Sequence, residues 1–423
     1  EVVWLEGFGQ RLGSPIDLAI TVLDSQLREL AAYHDQIRSL GGNRFPLSHT
    51  DPSGRFVAPA AGRYYVVVRN VIGDLSTDPR RIYRMLVRRE EPEFHVAIVP
   101  RRSDQSTGLN VPRGGREMAD LFVERRRGMS GPIRISAATL PPGIVCPDVW
   151  IGPDQDHGVV VVAADRNASE YVGPLMLSGQ ATMHGREIKC NVQGGTMVRP
   201  GTPTGWGRLT DDTPLAVTSE SPWSIRATLA DQRVFQDSIL DVAIDVDQSP
   251  GAPMQITAVG LPRTMETPVE TIASGSRRGW LSLAIPNSVT PGPYTFAIRA
   301  ESETQIGGQK VAVTTFSEPI TIQVEPARIH VTIDPRTPRK IARGQIIKVH
   351  YRAERDHGFI GKIHTELAAP AGVTGIRGRG VTFTGQTETG EIQVIATENA
   401  ELGRLVFLRL EAIGTVEDQP LYR

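Results

Sequence analysis

The chain has 423 residues, with 46 basic and 47 acidic side chains and a net charge of −1. At roughly 100–150 residues per domain that is three or four cores, and a near-zero charge supplies no global field to recruit nucleic acid or an anionic membrane. Glycine (42) and proline (31) make up about a sixth of the chain, short of the ~25–30% of disordered low-complexity segments, so the sequence reads as folded and dense in turns.

Only Cys146 and Cys190 are cysteines, which excludes a disulfide-dense mini-scaffold and a four-cysteine zinc site. The chain opens Glu1-Val2-Val3-Trp4, without a charged-then-apolar leader, and no run approaches the ~18 apolar residues of a membrane span. It therefore reads as a mature or trimmed segment. Five of the 46 basic residues are lysines. So strong an arginine bias reflects codon composition, and clusters such as Glu124-Arg125-Arg126-Arg127, with no aromatics interleaved, read as solvated hairpin faces.

In chain order, the first element with helical spacing runs from Ser25 to Leu40, where Leu27, Leu30, Ala31, His34, Ile37 and Leu40 fall near i, i+3, i+4 positions; it predicts a short helix or an ordered loop. The other elements are runs of Val, Ile, Thr and aromatics bounded by Gly, Pro, Asp and Asn, and these predict strands. They are Tyr64–Val68, Phe94–Val99, Val159–Val162, Trp280–Ile285, Tyr294–Ile298, Ile392–Ala396 and Leu405–Leu410. In Asp241-Val242-Ala243-Ile244-Asp245-Val246-Asp247, strict alternation places the aspartates on the solvent face of a strand. Alternating βα units are missing, which argues against Rossmann and TIM-barrel enzymes.

Three segments repeat one pattern. The first has Arg113-Gly114-Gly115, Gly131-Pro132, Leu140-Pro141-Pro142-Gly143 and Gly173-Pro174. The second has Gly251-Ala252-Pro253, Leu261-Pro262 and Pro291-Gly292-Pro293. The third has Arg343-Gly344-Gln345, Gly361-Lys362, Leu367 with Pro370-Ala371-Gly372, and Gly403. Gly131 and Gly173, Gly251 and Gly292, and Gly361 and Gly403 stand 42, 41 and 42 residues apart, and a repeat of about 110–120 residues suits an independently folded sandwich. Glycine supplies φ > 0 and proline a preset φ at the corners, and the Leu140-Pro141-Pro142-Gly143 element is expected to plug its leucine into the core.

Residues 1–92 fall outside the repeat. The segment Asp51-Pro52-Ser53-Gly54-Arg55-Phe56-Val57-Ala58-Pro59, followed by Gly62-Arg63-Tyr64-Tyr65-Val66-Val67-Val68, resembles the bacterial pre-peptidase C-terminal (PPC) domain, with its Phe-x-Ala-Pro strand and Gly-x-Tyr. Gln10 to Asp17 and Ile20 to Asp24 fit the N-terminal half of that family. The resemblance implies a jelly-roll-like accessory sandwich of secreted bacterial proteins, without catalytic residues, and by the same comparison its opening strand is missing. The repeats are similar to the immunoglobulin-like modules that follow such domains. The expected fold is all-β: four tandem antiparallel β-sandwich domains, with a PPC-like module at 1–92, an Ig-like module at 93–200, a linker at 201–222, and Ig-like modules at 223–326 and 327–423. The last of these, ending at Tyr422-Arg423, is expected to lack a strand.

A Gly-x-Ser-x-Gly elbow, a His-Glu-x-x-His helix, a Walker A loop, a haem motif and an EF-hand loop are all lacking, so no catalytic residue, metal ligand or cofactor is assigned. His157 and His357 both lie in Asp-His-Gly but at different places in their repeats, as turn residues do. Calcium candidates are Asp35 and Asp51 in the first domain and Asp241, Asp245 and Asp247 in the third. Leu261-Pro262-Arg263-Thr264 has Met265 where a sortase anchor needs glycine, and Asn167-Ala168-Ser169 is a glycosylation pattern without force in a bacterial-looking chain. Cys146 and Cys190 form a candidate disulfide; closing a loop of about 44 residues would contribute roughly 4 kcal/mol.

These observations predict a non-enzymatic protein of the cell surface, periplasm or extracellular space that spaces, adheres or self-assembles, spanning on the order of 150 Å if its domains are strung out. Its partners are other proteins, including further copies joined by strand addition at the end domains. The competing reading is a carbohydrate-binding accessory region of a secreted hydrolase, which requires exposed aromatics on a sandwich face; Trp4, Trp150, Trp206, Trp223 and Trp280 are dispersed along the chain.

Overall fold

A computed structural model describes the chain from Glu1 to Tyr422 except residues 37–38, 41–44, 48, 72–77, 100–107, 199–205, 339, 370–373, 386, 401–407 and 417–418. The Pro370-Ala371-Gly372 corner, Gly403, Arg423 and most of the expected Leu405–Leu410 strand lie outside the described residues. The fold is all-β: strands and turns, with a single 3-10 turn at Gln10–Leu12 among the described residues. None of the described helices is long and apolar enough to cross a membrane.

The structure corrects the helical reading of Ser25–Leu40. Glu29–Tyr33 is a strand, paired antiparallel with Leu18–Leu23 through Ile20↔Tyr33 and Val22↔Ala31. Ala31 and Tyr33 pack on the core of this sandwich, while Leu27 and Leu30, which completed the helical spacing, are exposed. The period of two wins because the neighbouring strand offers a ladder and an apolar face that an isolated short helix lacks. Leu27 itself sits at φ 64° in a turn whose Asp24 carboxylate accepts the N–H groups of Gln26 and Arg28.

The chain divides into two compact units, each discontinuous in sequence: Glu1–Asn110, Ala119–Leu140 and Glu170–Ala216 in one, Val111–Met118, Pro141–Ser169 and Val217–Arg423 in the other. The stretch 93–200 is thereby shared between them. Within the span expected to be a linker, Trp206–Thr210 and Thr213–Glu220 are strands.

In the first unit, the sheet of Ser53–Val57, Val2–Phe8 and Arg84–Arg89 faces the sheet of Glu29–Tyr33, Leu18–Leu23 and Tyr65–Asn70. Leu5, Ile20, Val22 and Phe56 form the core between them. The same unit holds Glu93–Val99 between Arg186–Val198 and the part of Gly115–Arg126 from Ala119 onward, with Leu177–Met183 and Ile133–Ala137 following beyond Arg186–Val198.

In the second unit, the sheet of Ile225–Leu229, Ser238–Val246 and Arg278–Ile285 packs on one of Arg233–Phe235, Ile320–Glu325, Gly292–Ile306, Met254–Val259 and Glu270–Ile272. Trp223, Tyr294 and Phe296 are fully buried in the shared core, and each such side chain contributes about 2–3 kcal/mol of burial. A further pair of four-stranded sheets, Ile329–Ile333, Ile346–Arg355, Thr387–Ala396 and Ile376–Arg379 against Val381–Phe383, Lys362–Ala368, Arg409–Val416 and Gln419–Tyr422, closes on Val349, Tyr351, Ile392 and Val394.

Most pairings are antiparallel, as expected, with parallel ones among them. Glu93–Val99 runs parallel to Arg186–Val198, and Arg233–Phe235 runs parallel to Ile320–Glu325. In both cases strands distant in sequence are joined, which a crossover permits and a hairpin does not. At the corners, Gly143 and Gly251 hold φ of 82° and 85°; Leu261 is buried, whereas Leu140 of the Leu-Pro-Pro-Gly element, expected to plug the core, is only half-buried.

Candidate functional site

Among the described residues, no group of three or more His, Cys, Asp or Glu is arranged to hold a metal ion. The densest polar constellation in the first unit begins at Asp51, a calcium candidate whose side chain is fully buried. Its carboxylate accepts the N–H groups of Gly9 and Gln10 at 2.7 Å each, the Arg11 N–H at 3.0 Å and the Arg11 Nε at 2.8 Å. Burial pushes this carboxyl up, but the donors of Arg11, Gly9 and Gln10 outweigh it and hold it below its ordinary value. The oxygens that a calcium ion would take are spent on pinning the Gln10–Leu12 turn, and Asp35 stands exposed.

Arg11 continues the chain of charge to Glu6 at 2.9 Å. Glu6 and Glu93 then share two arginines. Arg127 lies 2.8 Å from Glu93 and 3.7 Å from Glu6, and Arg88 lies 3.3 Å and 3.8 Å from the same pair. The Arg127 guanidinium is 5.4 Å from the Trp4 ring centroid and its side chain is 3% exposed. The expected solvated hairpin face therefore fails at its last residue. An arginine that deep persists only when paired, and the carboxylates that pair it come from Val2–Phe8 and Glu93–Val99, which no local reading of residues 124–127 could supply. Burial raises the Glu93 carboxyl, yet His95, Arg127 and Arg88 bring it down to about 2.

Beside this network Phe45, 0% exposed, packs on Ala97, Val99 and Phe122. Gly195 and Gly207 make room for its ring, since a Cβ at Gly207 would stand 2.5 Å from it.

In the second unit, Asp241 takes both terminal nitrogens of Arg409, at 3.0 and 2.7 Å, and the Ser282 hydroxyl at 2.5 Å. It borders a cleft of about 750 Å³ that also includes Asp237 and His330. His330 places its two ring nitrogens 2.9 Å from Asp237 and 3.4 Å from Asp356. Asp245 and Asp247 lie toward solvent as the alternation requires, near Arg278 and Arg166 respectively. His357 holds the Ala327 carbonyl at 2.9 Å from a turn with φ 49°, and His157 lies 3.0 Å from Asp156.

Cys146 and Cys190 are free thiols, so the candidate pair is not bonded in this structure. Burial and the Asp148 charge push Cys146 up to about 12. Burial pushes Cys190 up to about 11, against the backbone donors of Val96 and Gly179. Asn167 is exposed. Of the tryptophans, Trp223 is buried and Trp280 is 51% exposed, Trp4 and Trp150 are half-buried, and the Trp206 side chain is outside the described residues.

No family model matches the sequence, and no curated protein matches it. Among solved structures, the chain is similar to an ICAM-5 D1–D4 ectodomain fragment at 10% identity and a TM-score of 0.18, covering 77% of each chain. It is similar to a marsupial T cell receptor at 8% identity and 0.19, covering 77% of this chain and 100% of that one. A Salmonella alpha-2-macroglobulin mutant gives 10% identity and 0.18 over 97% of this chain, which spans 37% of that protein. Identities and scores are low, and the fold class rests on the strands themselves. The chain is a multidomain all-β protein of tandem β-sandwiches.

Proposed function

We propose that this chain is a non-enzymatic, extracellular or surface-exposed bacterial protein whose sandwiches act as a mechanical spacer, with modules at 1–92, 93–200, 223–326 and 327–423. The observation that carries the reading is where its buried charge is spent. The Arg127–Glu93–Glu6 network ties strand Val2–Phe8 to residues 93 and 127, and Arg409–Asp241 ties residues from two different sheet pairs. In the proposed division each link joins successive modules, the Arg127 and Arg409 side chains being 3% and 12% exposed, and charge paired away from solvent favours one geometry over others. Phe45 does the same with apolar contacts. An adhesive or self-assembling role is supported by the Gln309–Phe316 strand, which pairs with Gly292–Ile306 alone among the described strands, near exposed Ile306 and Val311; such an edge accepts an added strand.

The test is single-molecule stretching of the chain held at its two ends. A spacer built of four modules gives four separate rupture events, and a single low-force yielding of the whole chain refutes it.

A further inference from the structure

The sheet of Ile225–Leu229, Ser238–Val246 and Arg278–Ile285 turns Val242, Ile244, Leu281 and Leu283 into the core. Its other face carries one row across the strands, Thr228, Ala243 and Trp280, set by the registers Thr228↔Ala243 and Ala243↔Trp280. Trp280 is 51% exposed. Aromatic residues favour strands because they pack on cross-strand neighbours, and the neighbour here is the methyl group of Ala243. About half of this indole therefore stays open, beside two small residues.

The rows on either side are polar. On one, Arg226 is in register with Asp245 and Asp245 with Arg278, the Arg278 Nε lying 3.3 Å from the Asp245 carboxylate. On the other, Ser282 donates its hydroxyl to Asp241. Two residues along a strand separate each row from the indole, about 7 Å.

We propose that this face binds a β-linked, gluco-configured oligosaccharide by stacking on Trp280. In such a sugar every ring hydroxyl is equatorial, so each ring face presents axial C–H groups that lie flat on an indole. The hydroxyls project sideways, where each can both donate and accept, and the row of Arg226, Asp245 and Arg278 offers both kinds of partner: guanidinium donors at Arg278 and Arg226, and a carboxylate acceptor at Asp245. Nucleic acid fits worse, because the aspartates face its phosphates. A protein interface of standard size needs an apolar centre, and the row holds only Ala243 and Thr228 beside the indole. The site is independent of the spacer reading, and its failure would leave the stretching behaviour untouched.

The experiment titrates the full chain with cellohexaose and with chitohexaose, read by calorimetry and by tryptophan emission. Saturable binding of at least one is expected. Trp280→Ala should weaken it about tenfold or more, and Trp280→Tyr should keep it within a few fold. Both substitutions point outward and should leave the thermal midpoint in place. If Trp280→Ala lowers that midpoint, Arg278→Ala, which keeps the indole, supplies the second reading with a several-fold loss. Absence of saturable binding to both hexasaccharides, or binding that the Trp280→Ala and Arg278→Ala variants leave unchanged, overturns the proposal.

Discussion

Glu93 shows how much one carboxylate can hold. Its carboxyl lies at about 2 in the folded chain, against ~4.3 for an unperturbed glutamate. The folded value is depressed, so the stabilisation is complete above about pH 4.3 and is lost as pH falls toward 2. Acid unfolding followed by circular dichroism should therefore show a limb in that window, and Glu93→Gln should flatten it. The same variant should cost about 3 kcal/mol at neutral pH, because it strips Arg127, 3% exposed, of its nearest carboxylate; an unchanged acid limb would count against the assignment. The thiols give a second test at this scale. With Cys146 near 12 and Cys190 near 11, almost no thiolate exists at neutral pH. Both should resist alkylation in the native chain and react fully in unreduced denaturant. A mass two hydrogens lighter, with no labelling, would instead establish the disulfide expected from the sequence.

Among the elements, Phe45–Pro46 is only two residues long, yet Phe45 is fully buried against Ala97, Val99 and Phe122. Phe45→Ala should cost about 3–5 kcal/mol in denaturant unfolding. Gly207→Ala, whose Cβ would enter the ring, should cost about 1–3 kcal/mol by overpacking. Stability indifferent to both would mean that this segment does not dock in solution. Strands such as Glu93–Val99 and Arg278–Ile285 were legible because alternation and β-branched residues are local signals. Glu29–Tyr33 was not. The leucines in and around it imitate a helical stripe, and only the ladder to Leu18–Leu23 turns Ala31 and Tyr33 to the core instead.

For the whole molecule, the number of rupture events under tension is the quantity that separates four modules from fewer. Separate apolar cores, such as those around Trp223 and around Tyr351, lead to the expectation that modules yield one at a time. Composition and turn spacing determined by themselves that this protein is all-β and built of several sandwiches, because glycine and proline corners and period-two strands are written in neighbouring residues. Only the tertiary structure decided that Asp51 serves backbone donors, that Arg127 is buried, that some strands pair in parallel, and that Trp280 alone of the tryptophans described lies open on a sheet face. The reason is the same in each case: burial and pairing depend on residues tens to hundreds of positions away, and no local pattern in the chain records which strand will arrive beside which.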